Sequence, residues 1–428
     1  MSHLTSEQVL ALAPDAASAK AARGLATPGV WVTLGQHETA LWGECKGSGK
    51  APYRTQVDLS GPAFRCSCPS RKFPCKHGLG LLLLLATQPH LAAPSAPPPW
   101  VEEWLTSRAA AATRRETQAA KPAASGSAER NRAAREGRVA AGLAELQLWL
   151  EDRMRAGLGA FQAEAPAACA TFAARMVDAQ APGVARLLRN LGTRAATGTG
   201  WQGRMLDLMA RLHLLAKAYT ILDSLPPEAQ ADVRTTLGFT LSQEEVLAHA
   251  VGLRDHWVVL GRQVEDEEHL RVQRTWLWGA QSHRPALLIE FSAGGQPLDQ
   301  SLIAGSTLDA ELVFYPSAAP LRALVRMRHA TPTPTPMLPG MSLYAALGNY
   351  AAALAANPWL ERYPLLVGPC QLGHADAAWH LHDAEGRTLP LPPRYTEGWA
   401  LAAQTGGQPC TFAGVWNGEW LVPLRWSA

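Results

Sequence analysis

Residues 64–85 read FRCSCPSRKFPCKHGLGLLLLL, and their spacing decides how the N-terminal part of the chain folds. Cys66-x-Cys68 is followed, six residues on, by Cys75-x-His77. In an extended segment residues i and i+2 point to the same side, so each pair presents two ligand atoms to one ion. Pro69 ends the first extended piece just after its second ligand, and Pro74 restricts the backbone just before the third. Three thiols and an imidazole form a donor set that Zn²⁺ takes tetrahedrally, at about 2.3 Å to sulfur and about 2.0 Å to nitrogen. Four protein ligands leave no open position for a substrate or an attacking water. The expectation is therefore one structural zinc on Cys66, Cys68, Cys75 and His77, not a catalytic metal.

Working outward, Leu79–Ala86 is a short apolar run that reads as a buried helix ending before Pro89. It is the longest such run in the chain and falls far short of the ~20 residues that span a bilayer. Upstream, Leu41–Cys45 and Tyr53–Leu59 read as strands separated by the turn KGSGKAP, and Phe64–Cys68 extends after Ser60-Gly61-Pro62. Ahead of them, Thr5 and Gln8 fit a helix start before Val9, Leu10 and Leu12. Residues 1–91 thus form one small zinc-stabilised module of ββα-like character.

Cys-x-Cys, six residues, Cys-x-His and then a leucine-rich helix resembles the SWIM zinc finger. The similarity covers roughly residues 30–86, where LWGECKGSGKAPYRTQVDLSGPAFRCSCPSRKFPCKHGLGLLL is similar to bacterial members of that family. The family's four ligands fall on Cys66, Cys68, Cys75 and His77 without departure. The resemblance implies a module that binds DNA or a protein and is not itself a catalyst. It also implies a partner: bacterial relatives are associated with MoxR-type AAA+ ATPases and von Willebrand A-domain proteins.

The chain has 428 residues, 47% of them apolar, which is enough for real cores and excludes a mostly disordered protein. Its net charge of +3 excludes a uniformly basic, histone-like chain. The charge is uneven: residues 1–138 carry 17 Lys+Arg against 10 Asp+Glu, a net of +7, and the rest nets −4. Seven cysteines, three of them within ten residues, suit a metal site in a reducing compartment better than a disulfide framework. The start of the chain lacks the pattern of a signal peptide, so a cytoplasmic protein without a membrane segment is expected.

Beyond the module, residues 92–138 open with AAPSAPPP and continue rich in Ala, Arg and Ser. They read as a linker, helical in part at most. Residues 139–250 read as a helical region. Val139, Leu143, Leu146, Leu150, Met154 and Leu158 recur at three- and four-residue steps, as do Trp201, Met205, Leu208, Leu212, Leu215 and Tyr219. Residues 251–428 read as β-rich, with strand-like WVVLGRQV, HLRVQRTWLW, PALLIEFS and LDAELVFYP, one helical piece at Leu343–Ala356, and a polyproline-type spacer TPTPTP at 331–336. The fold class expected is α+β and multidomain.

Around the zinc ligands the segment 44–77 carries seven cations against Glu44 and Asp58. Lys46, Lys50, Arg71, Lys72 and Lys76 are the candidate phosphate contacts of a nucleic-acid face. The competing reading is that these cations offset the thiolates and solubilise the module. GECKGSGK is not a phosphate-binding loop, because Glu44 stands where a Walker A motif needs Gly and Ala51 follows Lys50. Cys370, His374, His380 and His382 could form a second metal site, but the alternation of Trp379-His380-Leu381-His382 reads more simply as a solvated strand face. No Ser-His-Asp order or paired-carboxylate pattern stands out. A non-catalytic protein is expected, with an enzyme in the C-terminal region as the remaining alternative.

Overall fold

The computed structural model describes residues 5–427 apart from 38–39, 48–50, 60–62, 71, 92–93, 118–124, 196–199, 268–269 and 293–297. The N-terminal part begins with helices α1 (Ser6–Ala11) and α2 (Ala16–Leu25). Asp15 caps α2 by accepting from the Ser18 N–H at 2.7 Å. Four strands then run in chain order as one antiparallel sheet: β1 (Trp31–His37), β2 (Ala40–Cys45), β3 (Tyr53–Asp58) and β4 (Ala63–Cys66). Helix α3 (Lys76–Thr87) lies against them with Leu79 and Leu81–Leu85 buried among Val9, Leu12, Trp31, Leu41, Val57 and Phe64. The GLG of α3 is a packing requirement. A Cβ on Gly78 would meet the Phe64 ring at 2.9 Å, and one on Gly80 would meet the Leu25 Cβ at 2.7 Å.

Within residues 92–138, expected as a linker, the described residues are largely helical. The Ser95 N–H donates to the Gln36 carbonyl at 2.9 Å, and α4 (Pro99–Thr117) follows. Val101 is buried with Ala40 and Trp42, with Trp100 and Leu105 packed beside them, and Arg108 pairs with the buried Asp58 at 3.1 Å. A few apolar residues suffice here because they close over a sheet face that would otherwise meet water.

The middle of the chain is a helix bundle: α5 (Ser125–Ala156), α6 (Leu158–Asp178), α7 (Pro182–Asn190), α8 (Trp201–Thr220) and α9 (Pro227–Leu237). Val139, Leu143, Leu146 and Leu150 of α5 are buried against Phe161, Cys169, Phe172 and Met176 of α6 and Met205, Leu212 and Leu215 of α8. The apolar stripe of α5 stops sooner than its spacing predicts. Met154, in the last turn of α5, is 44% exposed, and Gly157, at φ +92°, then breaks the helix before Leu158 opens α6. Helix α10 (Gln243–His249) follows, begun by a Ser242–Glu245 capping box.

The C-terminal region holds two antiparallel sheets. The first comprises β5 (Gly252–Glu267), β6 (Leu270–Gly279), β7 (Pro285–Ser292), β8 (Ser306–Phe314), β9 (Ala323–Arg328) and β10 (Thr333–Pro334). After α11 (Leu343–Ala356), the second comprises β11 (Tyr363–Ala375), β12 (Ala378–His382), β13 (Thr388–Pro390), β14 (Cys410–Trp416) and β15 (Leu421–Trp426), with α12 (Gly398–Thr405) between β13 and β14. The run WVVL in β5 is apolar throughout because both faces are covered. Trp257 and Val259 enter one core, while Val258 and Leu260 enter another shared with Leu366, Ala413 and Val415 of the second sheet. The TPTPTP stretch is no free spacer. Thr333 and Pro334 pair with Thr307 and Ser306 as an edge strand, a place where a residue without an N–H is tolerated. No helix among the described residues is long and apolar enough to cross a membrane.

Candidate metal centre

The four ligand atoms of Cys66, Cys68, Cys75 and His77 lie within 4.8 Å of one another. Local structure brings each one there. The β3–β4 hairpin sets Cys66 opposite Thr55, and the Ser67 N–H closes on the Arg54 carbonyl at 2.9 Å. Cys75 stands at the N-cap of α3, and His77 occupies its first turn. Cys75 and His77 are buried, while Cys66 and Cys68 are half-buried.

The donor set fits a tetrahedral zinc. Zinc bonds of about 2.0–2.3 Å place neighbouring ligand atoms roughly 3.5–3.8 Å apart, and the Cys66 Sγ lies 3.8 Å from His77 Nδ1. Hydrogen bonds from Cys75, His77 and Thr55 favour the Cys66 thiolate and draw its pKa down to about 4. The Thr55 Oγ1 is 3.2 Å from that sulfur. The Cys66 thiolate and burial push Cys75 up, although the Gly78 N–H at the start of α3 favours its anion; burial chiefly pushes Cys68 up. Crowded sulfurs in a half-dry site cannot all ionise together without a cation between them. A divalent ion supplies that charge, leaving the centre at about −1 with three thiolates. The zinc is structural and single.

Sequence reasoning missed the groups around the ligands. Thr55 faces Cys66 only through strand register, and the Tyr53 ring packs 5.0 Å from that of His77. Cys45 is fully buried in the module core, as a small hydrophobe would be.

The basic residues fare differently from one another. Lys46, Lys72 and Lys76 are exposed; Lys50 and Arg71 lie outside the described residues. Lys72 pairs with Asp15 at 2.8 Å, and that hydrogen bond holds the Asp15 carboxyl down at about 2. The Lys46 Nζ donates to the Gly29 carbonyl at 3.1 Å. Arg54 pairs with Glu44 at 3.5 Å and lies over the Trp100 ring.

The second metal site does not assemble: among the described residues the zinc quartet is the one group of three or more such side chains placed to hold an ion. Cys370 is buried in the C-terminal core, whereas His374 packs on Trp379 and Trp399 at the surface.

Two family models match the chain. Residues 53–86 match the SWIM zinc finger, and residues 134–237 match the SWIM-associated four-helix bundle domain. No curated protein and no solved structure matches it.

Proposed function

We propose that this SWIM zinc finger protein is a non-catalytic docking protein whose zinc-stabilised finger and helical bundle present a surface to another protein. The observation that carries the reading is the fate of three of the finger's cations and of Arg108 on the helix that covers its sheet. Lys72, Lys46, Arg54 and Arg108 each spend their charge on an internal carboxylate or carbonyl. A phosphate-binding face needs cations free to replace counterions. With four protein ligands on the metal, the finger has no open coordination position from which to act on a substrate. The partner class is the MoxR-type AAA+ ATPase complex with its von Willebrand A-domain component, in the cytoplasm.

A second reading, nucleic-acid binding, draws on one feature of the zinc loop. Phe73 is 37% exposed between exposed Lys72 and Lys76, an aromatic ring flanked by cations. Salt separates the two readings. The full-length protein is titrated with labelled duplex and single-stranded DNA at about 50 and 200 mM salt, and in parallel with a purified MoxR-type ATPase. The expected result is ATPase binding that varies little with salt and no DNA binding at the lower salt. DNA binding that collapses between the two conditions, and that the Lys72→Ala, Lys76→Ala double variant abolishes with zinc content unchanged, would establish the second reading instead.

A further inference from the structure

Leu302 and Ile303 are consecutive residues buried in different cores. Leu302, 7% exposed, packs with Trp257, Val259 and Leu277 in the first C-terminal sheet. Ile303, 3% exposed, joins Val9, Leu12, Leu79 and the leucines of α3 in the finger. Among the described residues it is the one member of the finger's core that comes from beyond residue 91.

The turn that carries it is hydrogen-bonded to the C-terminal side. The Gly305 N–H donates to the Val259 carbonyl at 2.9 Å, and the Thr335 N–H donates to the Gly305 carbonyl at 2.9 Å. The Ser306 hydroxyl donates to the Ile303 carbonyl at 2.7 Å. Gly305 has φ +80°, a conformation that favours glycine, and a Cβ there would press on the Arg425 guanidinium at 3.0 Å. The other side of the contact starts at the metal centre. Cys75 is the N-cap residue of helix α3 and His77 sits in its first turn, and the leucines packed in the same core as Ile303 follow on that helix.

We infer that the Leu302–Ile303 turn is an internal docking point that couples zinc occupancy of the finger to the C-terminal β region. The inference rests on the structural zinc and is independent of which partner the finger binds. Zinc binding supplies much of the folding free energy of so small a module. Without the ion the apolar socket loosens and Ile303 returns to water. Linkage makes the effect reciprocal: whatever factor zinc contributes to seating Ile303, a seated Ile303 contributes to zinc affinity.

The test uses the full-length protein and two measurements. In the first, amide hydrogen exchange is followed before and after zinc removal by a chelator. The amides of Gly305 and Ser306 should lose protection together with those of α3, while central strands β5 and β6 keep theirs. In the second, Ile303→Ser is competed for zinc against a chromogenic chelator. It should still load one zinc at saturation but bind it roughly five-fold or more weakly, and Ile303→Val should recover most of the loss. Unchanged protection at Gly305 and Ser306 after zinc removal would overturn the inference, and that arm needs no variant to fold. Zinc affinity equal to wild type in Ile303→Ser would overturn it as well.

Discussion

Cys66 ionises most readily of the three zinc-site thiols because Cys75, His77 and Thr55 all turn hydrogen-bonding groups toward its sulfur. Removing any ligand leaves the remaining sulfurs crowded with no ion to bind them together. Cys75→Ser should therefore reduce metal from one zinc per chain to a small fraction of that, and the finger should unfold. Elemental analysis and far-UV circular dichroism of the purified variant check both outcomes. In finger peptides zinc is worth on the order of 10 kcal/mol of folding free energy, as much as the whole net stability of a ~90-residue module. At this scale the ligands were legible because an i, i+2 spacing is a local property of the chain. Thr55 was not, because it lies eleven positions from Cys66 and only hairpin register brings them together.

Helix α5 shows how an element sorts its own residues. Leu146 is fully buried in the bundle core, while Leu148, two positions on, is 64% exposed. Leu146→Ala should cost about 2–5 kcal/mol through lost burial and the cavity left behind, and Leu148→Ala no more than about 0.5 kcal/mol. Urea unfolding of the two variants against wild type measures the contrast. The 3.6-residue period made this stripe readable, but its end at Gly157 was not, since the same apolar spacing runs on through Met154 and Leu158.

Strand β7 carries a further test. Burial, and after it the charge of Asp299, raise the Glu290 carboxyl from its ordinary 4.5 to about 7. A raised carboxyl means that the folded state binds the proton more tightly. The stability this adds is complete below about pH 4.5 and is lost as pH climbs through about 7. Glu290→Gln should flatten that decline, by on the order of 1–3 kcal/mol between pH 5 and 8. Thermal melts across that range check it, and a slope as steep as wild type would count against the assignment.

Across the whole molecule, polar contacts, some of them partly buried, tie the bundle to the C-terminal region. Asp232 of α9 accepts from the Ala318 N–H and from Asn357 Nδ2, each at 2.8 Å. The Trp359 Nε1 donates to the Arg211 carbonyl at 3.1 Å, and Arg186 pairs with Glu361 at 2.8 Å. Asp232→Ala would leave the Ala318 N–H and the Asn357 amide unsatisfied in a largely dry interface, at a cost of about 2–4 kcal/mol. Calorimetry should show the bundle and the C-terminal region unfolding closer to independently in that variant than in wild type, where shared contacts favour a common transition.

By itself the sequence determined the zinc quartet, three of the finger's strands and its leucine helix, the bundle's apolar faces and the β character of residues 251–428. Each is written in spacings of two to four residues, which the geometry of strand and helix converts directly into a face. Tertiary structure alone decided that Lys72 is spent on Asp15, that α4 closes over the finger's sheet, that TPTPTP serves as an edge strand, and that Ile303 enters a core more than two hundred residues upstream. Each of these joins residues far apart along the chain. No local period encodes such a pairing, and only burial of apolar surface and satisfaction of charge in the folded whole select it.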